Sequence, residues 1–230
     1  MSNTHKLQQF LSCESYDCFE DNRFNNAFMN NKVYHVSYKG LSIEQRPDII
    51  YPFSKLLDKI QPNIIIEIGT FAGALSLILH DLTDQIGSKI ITYDINSADY
   101  LKDIVEKNNL QRIHVITQNI FSDNYTFLSN TEIQETISDL NNKILLLCDG
   151  GCKKCEFNLL SKYLKSNDII MAHDYAPNKE YFEQYIKNKI WNWHEIQDSD
   201  IEDSIKNNNL KPYMREEFID VAWACFQKIM

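Results

Sequence analysis

An acidic residue and two glycines stand where an apolar stretch of the sequence changes into a helical pattern. Glu67 lies inside the run Ile64 to Ile68, and Gly69 and Gly73 follow it. Glycine permits a sharp turn and lets a ligand approach bare backbone, and the start of the next helix presents unpaired N–H groups. The spacing Glu-x-Gly-x-x-x-Gly differs from the G-x-G-x-x-G of dinucleotide folds and from a P-loop. A carboxylate here would repel a pyrophosphate, so we expect the turn to hold a ligand with an ammonium group.

Charged side chains also close two later apolar runs. Asp149 follows the run Lys143 to Cys148, and His173 with Asp174 follows the run Asp168 to Ala172. Two carboxylates at neighbouring strand ends repel each other unless a cation lies between them, and hard oxygen ligands suit Mg²⁺ or Mn²⁺. We therefore predict a divalent-cation site formed by Asp149, His173 and Asp174. For His173 three interpretations stay open: a metal ligand, a base, or a histidine satisfied by a backbone carbonyl.

The helical pattern after Asp149 begins with a lysine, a glutamate and a pair of cysteines. Lys153 can contact a substrate, screen the Asp149 carboxylate, or simply start a solvated helix, and the helix dipole accounts for Glu156. Cys152 and Cys155 form a C-x-x-C, but no second C-x-x-C or histidine pair in the sequence completes a zinc site. We expect these cysteines to be reduced and the protein to be intracellular.

Apolar runs and helical periodicity alternate along the chain, which predicts a parallel sheet covered by helices on both faces. The predicted strands span 63–68, 89–95, 112–117, 143–148 and 168–172. The predicted helices span 48–60, 72–84, 97–108, 131–140, 153–165 and 178–188. We predict two closing strands at 191–196 and 219–229, separated by a helical segment at 198–206. Ligands of such a sheet bind beyond the carboxyl ends of its strands, which is where the charged residues fall.

The Glu67-x-Gly69-x-x-x-Gly73 motif and this order of elements resemble the class I S-adenosylmethionine (SAM) dependent methyltransferases. The resemblance implies an α/β, Rossmann-like, seven-stranded mostly parallel sheet with an antiparallel last strand. Asp94 lies 27 residues after Glu67 and matches the second motif of the family, whose acid accepts both ribose hydroxyls. The resemblance implies that the donor is bound by Glu67, Gly69, Thr70, Gly73, Ser76, Asp94, Ile95, Asn119, Ile120 and Asp149.

Asp149-Gly-Gly together with His173-Asp174 resembles one branch of this family, the cephalosporin-hydroxylase-like proteins and the macrolide-sugar and coumarin-sugar O-methyltransferases. The resemblance implies methyl transfer from SAM to a hydroxyl of a small molecule, a sugar or a sugar-containing metabolite. It also implies a divalent cation, Mg or Mn, bound by Asp149, His173 and Asp174, with His173, Asp149 and Lys153 as the candidate catalytic residues. The chain departs from many members at Cys152, where they carry His or another polar residue.

Two alternative functions remain open at this point. The chain could be a metal-independent methyltransferase that uses His173 as its base. It could instead be a noncatalytic assembly protein with the methyltransferase fold, although the intact donor motif argues against this. A hydroxylase is less consistent with the sequence, because no His-x-Asp/Glu…His iron triad stands out.

Composition narrows the partners. The 230 residues are 43% hydrophobic, which suits a sizeable core, and the net charge is −9. Nucleic acid is therefore not an expected partner. No apolar run approaches a membrane span and the N-terminus lacks a signal-peptide core, so we expect a cytoplasmic protein without membrane contact. Homo-oligomerisation stays open.

The first residues differ in character from the rest. Residues 1–42 are rich in Asn and aromatic side chains and show weak periodicity, so we assign them to an N-terminal cap or arm. Residues 43–230 form the predicted SAM-dependent methyltransferase domain.

Overall fold

The computed structural model describes residues 7–16, 27–29 and 32–230. Its main sheet has seven strands, which in chain order are β5 (Ile64–Ile68), β6 (Lys89–Asp94), β7 (Ile113–Thr117), β8 (Ile144–Cys148), β9 (Ile169–Ala172), β10 (Leu210–Pro212) and β11 (Ala224–Lys228). Their order across the sheet is β7-β6-β5-β8-β9-β11-β10. The strands from β5 to β9 pair in parallel, and β11 is antiparallel to both β9 and β10. The predicted fold class is confirmed.

Helices connect the strands, and all but the last overlap a predicted helical segment. They are α1 (Ile50–Ile60), α2 (Ala74–Leu82), α3 (Asp99–Lys107), α4 (Thr131–Ser138), α5 (Lys153–Leu160), α6 (Lys179–Tyr181), α7 (Asp198–Asn207) and α8 (Arg215–Ile219). Residues 215–219 form a short helix that was not predicted, and the strand predicted at 219–229 begins at Ala224. A 3-10 turn, Pro47–Ile49, leads into α1, another, Ser161–Tyr163, follows α5, and α6 continues as a π-helical turn, Phe182–Ile186. Among the described residues, no helix is long and apolar enough to cross a bilayer.

The central strands are apolar on both faces because both faces are covered. In β8, Leu145 and Leu147 pack into the core on one side of the sheet, and Leu146 and Cys148 pack into the core on the other. All four side chains are fully buried. Alternate residues of a strand point to opposite faces, so an unbroken apolar run is what a doubly covered strand requires. This rigid centre fixes the positions of the strand ends.

One predicted strand is wrong. Residues 191–196 form a loop, in which only Ile196 makes an isolated bridge, to Tyr175, and the sixth strand of the sheet is β10 instead. The loop is bound to the end of β9: the Glu195 N–H donates to the Asp174 carbonyl at 3.0 Å, and the Trp191 indole N–H donates to the Asp174 carboxylate. The alternation of Trp191 and Trp193 suggested a sheet face, but both line a cavity.

A smaller antiparallel sheet precedes the main one. It contains β1 (Leu11–Tyr16), β2 (Ala27–Met29), β3 (Lys32–Tyr38) and β4 (Leu41–Ile43), with β3 paired to each of the others. The Tyr38 hydroxyl donates to Asp81 of α2 at 2.6 Å, which ties this sheet to the main domain. The boundary predicted at residue 42 therefore falls inside β4. Residues 1–6, 17–26 and 30–31 of the predicted cap or arm lie outside the described residues, and the cap remains a prediction.

Candidate active site

A cavity of about 520 Å³ lies at the carboxyl ends of β5, β6, β8 and β9. Its wall includes every residue predicted from the sequence to bind donor, metal or substrate, with the exception of Ser76. These residues are Glu67, Gly69, Thr70, Gly73, Asp94, Ile95, Asn119, Ile120, Asp149, Lys153, His173 and Asp174. The parallel register of the sheet brings them together from five separate stretches of the chain.

The glycines of the turn after β5 are needed for two different close approaches. Gly69 has φ +93°, and a Cβ there would lie 2.3 Å from the Asp149 carbonyl oxygen. Gly73 has φ +88°, and a Cβ there would lie 2.6 Å from Cδ2 of the buried Leu101 of α3. The first glycine lets the turn touch the loop after β8, and the second lets α3 pack against the start of α2. Both positions also have left-handed backbone, which favours glycine.

Glu67 lines the cavity but is almost fully buried. Only 1% of it is exposed, and this burial raises the pKa of its carboxyl to about 8, although hydrogen bonds from Ser76 and Thr92 act in the opposite direction. The Ser76 hydroxyl donates to the Glu67 carboxylate. Ser76 is itself buried and is not part of the cavity wall, so its contact with a ligand would be indirect, through Glu67.

Backbone N–H groups hold the acid at the end of β6. Asp94 accepts hydrogen bonds from the N–H of Phe71 at 2.9 Å and of Asn96 at 2.8 Å, one on each carboxylate oxygen. Each oxygen keeps a second lone pair for a ligand hydroxyl. In the next loop, Asn119 accepts the Phe121 N–H at 3.0 Å. This side of the cavity is therefore held in place before any ligand arrives.

An ammonium group lies between the two predicted metal-binding carboxylates. Nζ of Lys153 is 2.9 Å from Oδ2 of Asp174 and 4.0 Å from Oδ1 of Asp149. It also donates to the Gly150 carbonyl and to Oε2 of Glu195, both at 3.0 Å. Burial lowers the pKa of Lys153, but Asp149 and Asp174 outweigh burial and raise it above its ordinary value. Burial raises the pKa of Asp174, and the nearby positive groups bring it below its ordinary value.

His173 is enclosed between two indole rings. Its ring centroid lies 4.9 Å from those of both Trp191 and Trp223, and Nδ1 is 3.0 Å from Oδ1 of Asp149. Burial lowers the pKa of His173, but the negative charges of Asp174 and Asp149 have a larger effect in the opposite direction. The pKa of His173 therefore lies above its ordinary value. Nε2 is buried and has no hydrogen-bond partner among the described residues. The imidazole therefore has one ring nitrogen that is free to bind a ligand or a proton.

The predicted metal ligands satisfy the elementary test for a cation site. One ligand atom from each of Asp149, His173 and Asp174 lies within 4.8 Å of the others. Two carboxylates and an imidazole are suitable ligands for Mn²⁺. Mg²⁺ would bind mainly to the carboxylate oxygens of this set. The Lys153 ammonium, however, already pairs with one of these carboxylate oxygens, Oδ2 of Asp174.

Gln45 is a site residue that the sequence analysis missed. Its amide donates to Oδ2 of Asp149 at 2.8 Å and accepts the Trp223 indole N–H at 2.8 Å. The side chain also lies 3.3 Å from Nδ1 of His173 and is almost fully buried. A glutamine in a short loop between β4 and α1 carries no motif, and only the tertiary contact shows its role.

Replacing Gln45 by leucine should destabilise the protein by about 1–3 kcal/mol, because the buried Trp223 N–H loses its partner and Asp149 loses one donor. Urea denaturation followed by tryptophan fluorescence would measure this. The matched control is Gln111→Leu, since Gln111 is exposed and only weakly bonded to Asn109. Equal stability of the two variants would contradict the assignment.

Glu156 holds the loop that leads from Asp149 into α5. Its carboxylate accepts the N–H groups of Gly150 at 3.1 Å and of Cys152 at 3.0 Å. Burial raises the pKa of Glu156 to about 7. Cys152 and Cys155 form a disulfide across the first turn of α5, where the sequence analysis expected free thiols. The loop is thus fastened on both sides of Lys153.

Comparisons with known proteins find one matching sequence family and several structures with a similar fold. Residues 30–177 match the sequence model of a family described as rhamnosyl O-methyltransferase/CmcI. No curated protein matches the sequence. The apo structure CmcI-N160 is similar at 12% identity over 84% of this chain and 76% of that chain, with a TM-score of 0.59.

Two further solved structures have a similar fold. A putative caffeoyl-CoA O-methyltransferase from Staphylococcus aureus is 14% identical over 82% of this chain and 86% of that chain, with a TM-score of 0.53. A structure of CmcI-D160 with Mg and SAM is 14% identical over 84% of this chain and 76% of that chain, with a TM-score of 0.52. At such low identities the structural likeness establishes the fold.

Proposed function

Because the chain belongs to the rhamnosyl O-methyltransferase/CmcI family, we propose that it transfers the methyl group of SAM to a hydroxyl of a sugar or sugar-containing small molecule. The observation that carries this proposal is the shared cavity. It joins the acid-and-glycine turn after β5 to the Asp149, His173 and Asp174 cluster, so that a donor and an acceptor can lie side by side. Proximity of this kind supplies a large part of the rate acceleration in a transfer reaction.

The donor half consists of the residues at the ends of β5, β6 and β7. Glu67 would pair with the ammonium of the amino-acid tail, and Asp94 would accept the ribose hydroxyls with its remaining lone pairs. Gly69 keeps the turn close to the loop after β8, which narrows the space between the two halves. Asn119 and Ile120 would flank the adenine.

The acceptor half has aromatic and charged walls. Trp193 is 39% exposed and lies beside Trp191, with ring centroids 6.1 Å apart, so an apolar indole surface faces the cavity. An indole of this kind can stack on the C–H face of a sugar ring. Lys153 and Glu195 offer a donor and an acceptor for its hydroxyl groups.

The charge of the wall argues against an anionic acceptor. Among the described residues, the side chains with positive charge that line the cavity are Lys153 and His173. Both already pair with the carboxylates of Asp149 and Asp174. The wall also contains the carboxylates of Glu44, Asp94 and Glu195, and burial makes Glu67 and Glu156 contribute less negative charge by raising their pKa to about 8 and about 7. A phosphate or carboxylate on the acceptor would meet net repulsion, and a neutral polyol would not.

The chemistry divides between bound groups and the chain. SAM supplies an activated methyl group, and a divalent cation held by the carboxylates of Asp149 and Asp174 would stabilise negative charge on the acceptor oxygen. Asp149 and Asp174 raise the pKa of both Lys153 and His173 and so favour the protonated form of each side chain. Additional positive charge in the cavity would lower these pKa values and release a proton-accepting nitrogen. We assign that role to His173, with Asp149 and Gln45 as the groups that orient its ring.

Binding of the product S-adenosylhomocysteine should strengthen as the pH rises from 6 to 8 and then level off. Glu67 in the free protein has a pKa of about 8, and a bound ammonium favours its ionised form, so binding releases a proton below that pH. The limiting slope is about tenfold in affinity for each pH unit. Isothermal titration calorimetry in buffers with different ionisation enthalpies would measure both quantities.

The control is Glu67→Gln, which removes the titrating group and keeps its shape. This variant should bind more weakly and should lose the pH dependence. Absence of binding heat with folded wild-type protein would refute the proposed function.

A second candidate, metal-independent transfer with His173 as base, is favoured by one observation. The Lys153 ammonium already provides a positive charge between Asp149 and Asp174. Methyl transfer that is insensitive to EDTA would select this mechanism over the metal-assisted one.

A further inference from the structure

We propose that Lys153 is a displaceable internal cation, which occupies the space between Asp149 and Asp174 and must move toward Glu195 before a divalent cation can bind. The inference rests on the proposed function only in that it takes this cavity as the cation site. It concerns what the lysine does before catalysis begins.

The contacts of Lys153 resemble those of a bound cation. Four oxygen atoms surround Nζ: those of Asp174 at 2.9 Å, Gly150 at 3.0 Å, Glu195 at 3.0 Å and Asp149 at 4.0 Å. Only 8% of the side chain is exposed. The ammonium therefore neutralises two converging carboxylates that would otherwise repel each other in a buried setting.

A dication and this ammonium compete for the same oxygen. Oδ2 of Asp174 bonds to Lys153, while Oδ1 of the same carboxylate accepts the Trp191 indole N–H. Each oxygen keeps a second lone pair, but a metal bound to Oδ2 would lie beside the Lys153 ammonium. Because two positive charges on one carboxylate repel each other, binding of the metal should expel the more mobile one, the end of the lysine side chain.

Glu195 provides the place to which the ammonium can move. Its side chain is 47% exposed and lies outside the Asp149, His173 and Asp174 group, yet it already bonds to Nζ. The Glu195 N–H is fixed to the Asp174 carbonyl, but the half-exposed side chain has room to rotate with the lysine. The flexible four-carbon stem of lysine allows such a change, since the ammonium can trade one carboxylate for another without motion of α5.

The test is competition between the lysine and Mn²⁺, measured without donor or acceptor. Free Mn²⁺ is followed by its room-temperature electron paramagnetic resonance signal during titration of the wild type, Lys153→Met and Lys153→Gln. Both variants should bind Mn²⁺ about tenfold more tightly or better, because removal of the ammonium frees an anionic oxygen. Lys153→Gln keeps a hydrogen-bond donor, so the Mn²⁺ affinity of this variant provides the test if Lys153→Met does not fold. The neighbouring Lys154→Met removes an exposed charge and should match the wild type.

A double-mutant cycle separates displacement from general electrostatics. Glu195→Gln should weaken Mn²⁺ binding severalfold in the wild-type background, because the ammonium loses its second position. In the Lys153→Met background it should have little effect, so the two changes are coupled. Additive effects of the two changes, or equal or weaker Mn²⁺ binding by both Lys153 variants, would overturn the inference.

The outcome is distinguishable from failure of the proposed function. S-adenosylhomocysteine binding is measured on the same samples by calorimetry. If the Lys153 variants still bind that ligand but their Mn²⁺ affinity is unchanged, the displacement of Lys153 is refuted and the proposed function is not. Competition for Mn²⁺ without any binding of that ligand supports the displacement and refutes methyl transfer from SAM.

Discussion

Replacing Asp174 by asparagine should lower the rate of methyl transfer by about a thousandfold or more, while S-adenosylhomocysteine affinity stays within about twofold. Asp174 contacts Lys153, Trp191 and His173, and it lies at the end of β9, away from the donor residues Glu67 and Asp94. Its loss should therefore affect the acceptor and cation half of the cavity. Turnover and calorimetric affinity, measured on the same preparation, would separate these effects.

Asparagine is the appropriate substitution because it preserves the local structure. Asp174 has φ +56°, a left-handed conformation that asparagine tolerates well. The asparagine carbonyl can still accept the Trp191 indole N–H, so the loop 191–196 should stay in place. What disappears is the negative charge that pairs with Lys153 and that a divalent cation would need.

The matched control is Asp198→Asn. Asp198 is likewise a hydrogen-bonded, ion-paired carboxylate: it accepts the Tyr175 hydroxyl at 2.5 Å and pairs with Arg215 at 3.0 Å, but it is not part of the cavity wall. This variant should keep nearly full turnover. If Asp174→Asn also kept full turnover, neither the cation site nor the acceptor site could lie where we assign them.

Replacing Gly69 by alanine should destabilise the protein and abolish donor binding. Left-handed backbone costs an alanine about 1–2 kcal/mol, and the clash of its Cβ with the Asp149 carbonyl should add about 1–3 kcal/mol. The clash is with backbone atoms of a loop fastened by Glu156, so no flexible side chain can move aside. The turn must shift instead, and the contact between the two halves of the cavity opens.

The control Gly87→Ala separates the cost of left-handed backbone from the cost of the Cβ clash. Gly87 also has a left-handed backbone, φ +78°, but no atom lies within 4 Å of a Cβ placed there. Urea denaturation should show a small loss of stability for Gly87→Ala and a clearly larger one for Gly69→Ala. Equal losses would mean that the approach of Gly69 to Asp149 costs nothing and is not a constraint of the site.

The sheet and the strand-end residues could be predicted because they depend on local patterns. Buried strands such as β8 read as unbroken apolar runs, and helices between them read as spaced apolar residues. Parallel connection then places Glu67, Asp94, Asp149 and Asp174 at one edge without any knowledge of side-chain contacts. These predictions needed only the periodicity and the order of elements.

The parts that failed depend on contacts between distant residues. Trp191 and Trp193 alternate with polar residues as in a strand, but the hydrogen bonds to Asp174 hold their segment as a loop. The strands of the small β1–β4 sheet were not predicted, because residues 1–42 show only weak periodicity. For Lys153 the sequence leaves a substrate contact, a screen for Asp149 and a solvated helix start open, and only the folded chain shows its ammonium among four oxygens.

The bond between Gln45 and Trp223 has a consequence for the order of events during translation. These two residues are separated by 178 positions, and Trp223 directly precedes the last strand. A ribosome releases the chain from its amino end, so Gln45 cannot meet its indole partner until the following 178 positions, up to Trp223, have been synthesised. The wall around Asp149 can therefore be completed only after Trp223 has left the ribosome.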